Sequence, residues 1–123
     1  MSDALRKVTP AQLEAAALTF GLLSVPGRLH LVCLLADTEL DVTTLAEATG
    51  ATIPATSQQL AKLRAAGIVS ARREVRRQLY SVDNPHVLGV IAQMLAHIAP
   101  DGTLAPDPNK PRPPRRPRFT APV

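Results

Sequence analysis

The 123-residue sequence is short of the residues that supply covalent staples, catalysis or membrane insertion. It has one cysteine, Cys33, which excludes an intrachain disulfide and any metal cage made of cysteines alone, and fits a reducing compartment. It has no tryptophan. Its aromatics are Phe20, Tyr80 and Phe119, so Leu, Val, Ile and Ala must fill the interior, which favours closely packed helices. No apolar run approaches the ~20 residues that span a bilayer. The opening MSDALRKVTP has no apolar signal region. These absences predict a cytoplasmic protein without membrane association. A glycine-rich phosphate loop, paired carboxylates in apolar surroundings and a nucleophile motif are also missing, so the sequence predicts no enzyme. The length allows one small domain.

What is abundant is proline and positive charge. The net charge is +4, with an isoelectric point near 10, which points toward a polyanion once the charges are located. Of 12 prolines, eight follow Ala99. Residues 1–98 therefore read as the folded domain, and 99–123 as a disordered tail rich in proline and arginine. Lys110, Arg112, Arg115, Arg116 and Arg118, against Asp101 and Asp107, give the tail +3. The tail suits two roles: a cationic arm for DNA, or a docking segment for a partner protein through KPRPPRRP. The domain keeps only +1, so any DNA face in it must rest on local charge.

Periodicity within the domain predicts four helices, a β-hairpin and a last helix (ααααββα). Thr9, Pro10 and Gln12 form a capping-box start for a helix to about Leu23, with Leu13, Ala17, Phe20 and Leu23 as its stripe. PGRLHLVCLLAD is apolar nearly all round and reads as a central helix. Asp41 caps VTTLAEAT, which stops at Gly50. Thr52 caps IPATSQQLAKLRAA, in which Ile53, Leu60 and Leu63 form the buried side. Strands follow over 68–73 and 77–82, around Glu74-Val75-Arg76. Asp83 with Pro85 opens the last helix, whose apolar positions run from Val87 to Ile98.

A short helix, a tight turn with glycine and a longer helix with a small, polar outer face is a helix-turn-helix pattern. Thr52, which opens the longer helix, is the first residue of the expected DNA-binding set. Ser57, Gln58 and Gln59 can bond base edges, and Lys62 and Arg64 can reach phosphate. The bland alternative is an ordinary solvated helix face. The next segment weighs against it. Arg72, Arg73, Arg76 and Arg77 crowd one hairpin beside a single acid, Glu74, with no evident internal partner, and a phosphate backbone would relieve their repulsion.

The run TTLAEATGATIPATSQQLAKLRAAGIVSARREVRRQLYSV resembles the ArsR/SmtB family of bacterial winged-helix repressors, above all in SQQLAKLRAAGIV and RREVRRQLYSV. VPGRLHLVCLLAD resembles the family's preceding helix, and the likeness covers about residues 14–98. It implies a winged helix-turn-helix, a homodimer joined through the first and last helices, and binding to a double-stranded DNA operator. It also implies release by an inducer, often a metal ion. The dimer contacts expected on this chain are Phe20, Val87, Ile91, Met94 and Ile98. One position departs from the family: Val75 stands where glycine is common. A β-branched residue disfavours the positive φ of a type I′ turn, so a longer or differently shaped wing tip is expected.

The resemblance also implies where a metal would sit. The Cys-x-Cys type of site is absent, because LDVTTLAE has neither Cys nor His. The type on the last helix keeps His86 and His97. They are eleven residues apart, ~16 Å along a helix, so only a second chain could bring them to one zinc or nickel ion. Asn84 stands where that pattern has Asp, with Asp83 one place off, and Pro100 stands where it has a ligand. Asp83 is the nearest substitute. His30 and Cys33, at i and i+3, are a second pair of donors, although a cysteine within LHLVCLLA is more often a small core residue. Two further function classes remain: a DNA-binding subunit whose sensor is a separate partner protein, and a protein-interaction adaptor.

Overall fold

The computed structural model describes Leu5 and residues 7–104. The elements in chain order are α1 (Pro10–Leu23), α2 (Pro26–Leu34), β1 (Leu40–Asp41), α3 (Val42–Thr49), α4 (Ile53–Ala65), β2 (Ser70–Glu74), β3 (Arg77–Ser81) and α5 (Pro85–Ala96). The chain divides into two compact units after Gly89, inside α5.

In the first unit, local capping chemistry sets most helix boundaries. The Thr9 hydroxyl accepts from the Gln12 amide at 3.1 Å, and the Gln12 side chain accepts from the Thr9 amide at 2.9 Å. Asp41 accepts from the Thr44 amide at 2.8 Å, which opens α3 and also holds the Asp41 carboxyl below the usual range. Gly50 closes α3 at φ 71, a conformation glycine adopts without penalty, and the chain turns directly into α4. The core is aliphatic: Leu31, Val32 and Leu35 from the α2 region, Leu45 and Ala46 from α3, Leu60 and Leu63 from α4, and Ile68, Val69, Leu79 and Val82 around the hairpin. Thr56 is also fully buried, its hydroxyl bonded back to the Thr52 carbonyl at 2.9 Å.

The sheet has one strand more than the sequence predicts. β1 pairs antiparallel with β3 (Leu40 opposite Tyr80, Asp41 opposite Leu79), giving the order β1-β3-β2. Two residues are too few to show an alternation, so this strand leaves no periodic signal. α2 is also shorter than predicted, ending at Leu34, where the Leu35 amide makes its last bonds back into the helix. Asn84, rather than Asp83, caps α5: its side chain accepts from the His86 amide at 2.9 Å.

In the second unit, order continues past the predicted boundary at residue 98. Ile98 bridges to Leu104, the Ala99 and Thr103 backbones bond at 2.8 Å, and Asp101 accepts from the Thr103 amide and hydroxyl. The rest of the predicted tail, 105–123, lies outside the described residues. No single described helix is long and apolar enough to cross a membrane.

Candidate nucleic-acid interface

α3, the turn at Gly50-Ala51-Thr52 and α4 form the helix-turn-helix. Burial of Thr56, Leu60 and Leu63 fixes which side of α4 faces the core. Ser57, Gln58, Lys62 and Arg64 are exposed on its remaining surface, and Lys62 and Arg64 lie in the last turn, where cations complement the helix dipole. Ser57 and Arg64 line an open groove of about 460 Å³ with Ala61, Ala65 and Tyr80, so the helix and the hairpin share one concave surface.

Two α4 positions differ from the sequence reading. Ile53 is 46% exposed and not part of the buried side. Gln59 is half-buried, and its Oε1 is buried without a hydrogen-bond partner among the described residues, so it is withdrawn from the face that carries Ser57 and Gln58. Thr52 is exposed and caps α4 as expected, its hydroxyl accepting from the Ala55 amide at 3.2 Å.

The wing corrects the charge argument. Arg72 has an internal partner: its guanidinium grips the Glu39 carboxylate at 2.7 and 2.9 Å and also reaches Glu74 at 3.2 Å. That grip holds the Glu39 carboxyl below, and the Arg72 guanidinium above, their ordinary ranges. Arg77 approaches Asp41 at 3.7 Å. Arg73 and Arg76 form no ion pair among the described residues. Glu39 and Asp41 were missed as partners. Their i, i+2 spacing puts both on one face of an extended segment, a signal that is visible once β1 is recognised.

The tip is two residues long, Val75-Arg76, because Glu74 pairs with Arg77. The expected lengthening does not occur. The turn is differently shaped instead: Val75 takes φ 54, while Arg76 is not at positive φ. Left-handed backbone at a β-branched residue is strained.

The metal candidates do not assemble within one chain. Asp83 accepts from the Ser70 hydroxyl at 2.6 Å and the Ser81 hydroxyl at 3.3 Å, so its carboxylate is committed to the base of the hairpin. Asp83 and His86 do share the lining of an open cleft of about 380 Å³ with Ser70 and Asn84. His97 is exposed. Among the described residues there is no group of three metal-capable side chains. His30 is exposed, and partial burial pushes the Cys33 thiol up, away from the thiolate a metal would need.

Of the dimer candidates, Phe20 (60% exposed) and Met94 (56% exposed) offer apolar surface, joined by Leu13 and Leu18 on α1 and by Val90 and Leu95 on α5. Val87 and Ile98 are half-buried. Ile91 is only 8% exposed, so it offers little to a second chain.

Residues 25–71 match the model of the bacterial regulatory protein, arsR family. The HTH-type transcriptional regulator YgaV of Escherichia coli K12 is 35% identical over 85 residues, 68% of this chain and 86% of that protein. The HTH-type transcriptional regulator NmtR of Mycobacterium tuberculosis is 36% identical over 95 residues, 75% of this chain and 79% of that protein. Among solved structures, the transcriptional repressor BigR from Xylella fastidiosa superposes with a TM-score of 0.68 at 29% identity, over 78% of this chain and 95% of that one. The homodimeric winged helix-turn-helix DNA-binding domain from Mycobacterium bovis gives 0.64 at 32% identity, over 78% and 85%.

Proposed function

This chain belongs to the bacterial arsR family of regulatory proteins, and from that premise we propose that it is a homodimeric, operator-binding repressor read out through α4 and the wing. The observation that carries the reading is the groove shared by α4 and the hairpin, lined by Ser57, Arg64 and Tyr80, with Gln58 and Lys62 exposed on the same helix and Arg73 and Arg76 exposed on the hairpin. Ser57 and Gln58 would bond base edges, and the cations would contact phosphate. Anisotropy titration of the protein against duplexes from its own upstream region tests this. A selected duplex should bind about a thousandfold more tightly than a scrambled one, the lower end of the ~10³–10⁷ range for specific sites. Ser57→Ala with Gln58→Ala should remove most of that preference. Equal affinity for both duplexes would overturn the proposal.

Dimerisation follows from the apolar faces of α1 and of α5 beyond Gly89, which carry Leu13, Leu18, Phe20, Val90, Met94 and Leu95 exposed. A second copy of the chain is the proposed occupant, in keeping with the homodimer from Mycobacterium bovis. Met94→Glu should yield monomers by light scattering.

For the inducer, zinc or nickel held between His86 of one chain and His97 of the other remains the metal chemistry this sequence offers. Among the described residues one protomer has no group of three donors for either ion, and Asp83 would have to give up its serine bonds to join. Metal titration with operator affinity as the readout tests it, and His97→Ala should abolish any response. An affinity that no metal alters favours a separate sensor protein or a different inducer.

A further inference from the structure

The first turn of α4 is apolar and exposed. Ile53, Pro54 and Ala55 all face solvent, and Ile53, a large side chain, is 46% exposed. No side chain of Ile53, Pro54 or Ala55 can hydrogen-bond a base edge. Ile53 and Ala55 have no polar side-chain atoms, Pro54 has no N–H, and the Ala55 amide is taken by the Thr52 hydroxyl. The Thr52 hydroxyl accepts that bond and keeps its O–H donor at the start of the helix, one residue before this turn. Yet in a helix-turn-helix the N-terminal residues of the second helix are the ones that approach base edges. Ile53 is also not required by the core, whose α4 members are Thr56, Leu60 and Leu63.

The major groove offers one apolar feature, the C5-methyl of thymine. We propose that Ile53, with Pro54 and Ala55 beside it, is a specificity-determining contact that selects thymine by its methyl group, while Ser57 and Gln58 read polar edges further along α4. This deepens the operator-binding reading and rests on it. The preference is for shape and apolarity, so it discriminates thymine from uracil, which presents the same hydrogen-bonding edge without the methyl.

The test uses the full chain and a duplex selected by the protein from a random library. Thymines are replaced one at a time by deoxyuridine. One or two replacements per half-site should weaken wild-type binding about fourfold each, the ~0.8 kcal/mol of one buried methyl converted at 1.36 kcal/mol per tenfold. Ile53→Ala should bind the thymine and uracil duplexes equally while remaining folded by circular dichroism. Ile53→Val should retain part of the discrimination. Wild-type protein that binds its selected duplex but ignores every uracil overturns this contact and leaves operator binding intact. A library that yields no preferred duplex overturns both.

Discussion

The two halves of the proposed DNA surface are held in place by different forces. α4 is anchored from below by Thr56, Leu60 and Leu63, all essentially inaccessible to solvent. The wing is a two-stranded projection whose outer positions are exposed. Its shape rests on the β2–β3 ladder, on the Glu39 and Asp41 carboxylates and on a strained tip. Core packing is insensitive to salt and pH, whereas exposed ion pairs respond to both. In the proposed reading, the helix is thus the fixed half of the surface, and the wing the half that responds more to solution conditions.

The largest effect that tests this contrast is in the core. Leu60→Ala should cost about 2–5 kcal/mol of stability, read by urea unfolding, because the side chain is wholly buried. A loss under 1 kcal/mol would mean that α4 is not anchored as described. Next come the wing cations. Arg73→Ala and Arg76→Ala should each lower the slope of log affinity against log salt by about 0.9, one phosphate contact apiece. Arg72→Ala should leave the slope unchanged, because its guanidinium is already neutralised by Glu39 and Glu74. Equal slopes losses in all three variants would remove the distinction between bracing and contacting arginines.

A smaller effect lies at the tip. Val75 is 88% exposed, so replacing it removes no buried surface. Val75→Gly relieves about 1–2 kcal/mol of left-handed strain and costs about 0.5–1 kcal/mol in chain entropy, leaving a net gain below ~1.5 kcal/mol in thermal unfolding. The smallest effect concerns pH. The Glu39 carboxyl is depressed when folded, so its contribution is present above the ordinary glutamate range and disappears as pH falls through the folded value. Acidification through and below the ordinary glutamate range should therefore loosen the Arg72 Nε–H in NMR spectra before the α4 core resonances change.

Most of the helix-turn-helix was legible in the sequence because its signals are local. Asp41, Gly50 and Thr52 each act within three or four residues. Ile53 was misplaced for a physical reason: it lies seven residues before Leu60 on the same helical stripe, but at N1, the end of the helix, where the stripe need not be covered. The Glu39–Arg72 pair joins residues 33 apart, and no local pattern encodes such a meeting. The burial of Ile91 and the withdrawal of Gln59 likewise depend on neighbours that helical periodicity does not name.

The pairing of β1 with β3 has a consequence for how the molecule assembles. Leu40 meets Tyr80 only when the chain between them, carrying α3, α4 and β2, has closed into a ring. Closure entropy grows slowly with length, about 0.6 kcal/mol per doubling, so insertions at the enclosed turns would strain this ring little. The search for the contact is nevertheless slow compared with helix or hairpin formation, because its ends are distant in sequence. α4 and β2 thus lie within one loop of chain that two residue pairs close, and loss of that closure would release both from β3's edge partner.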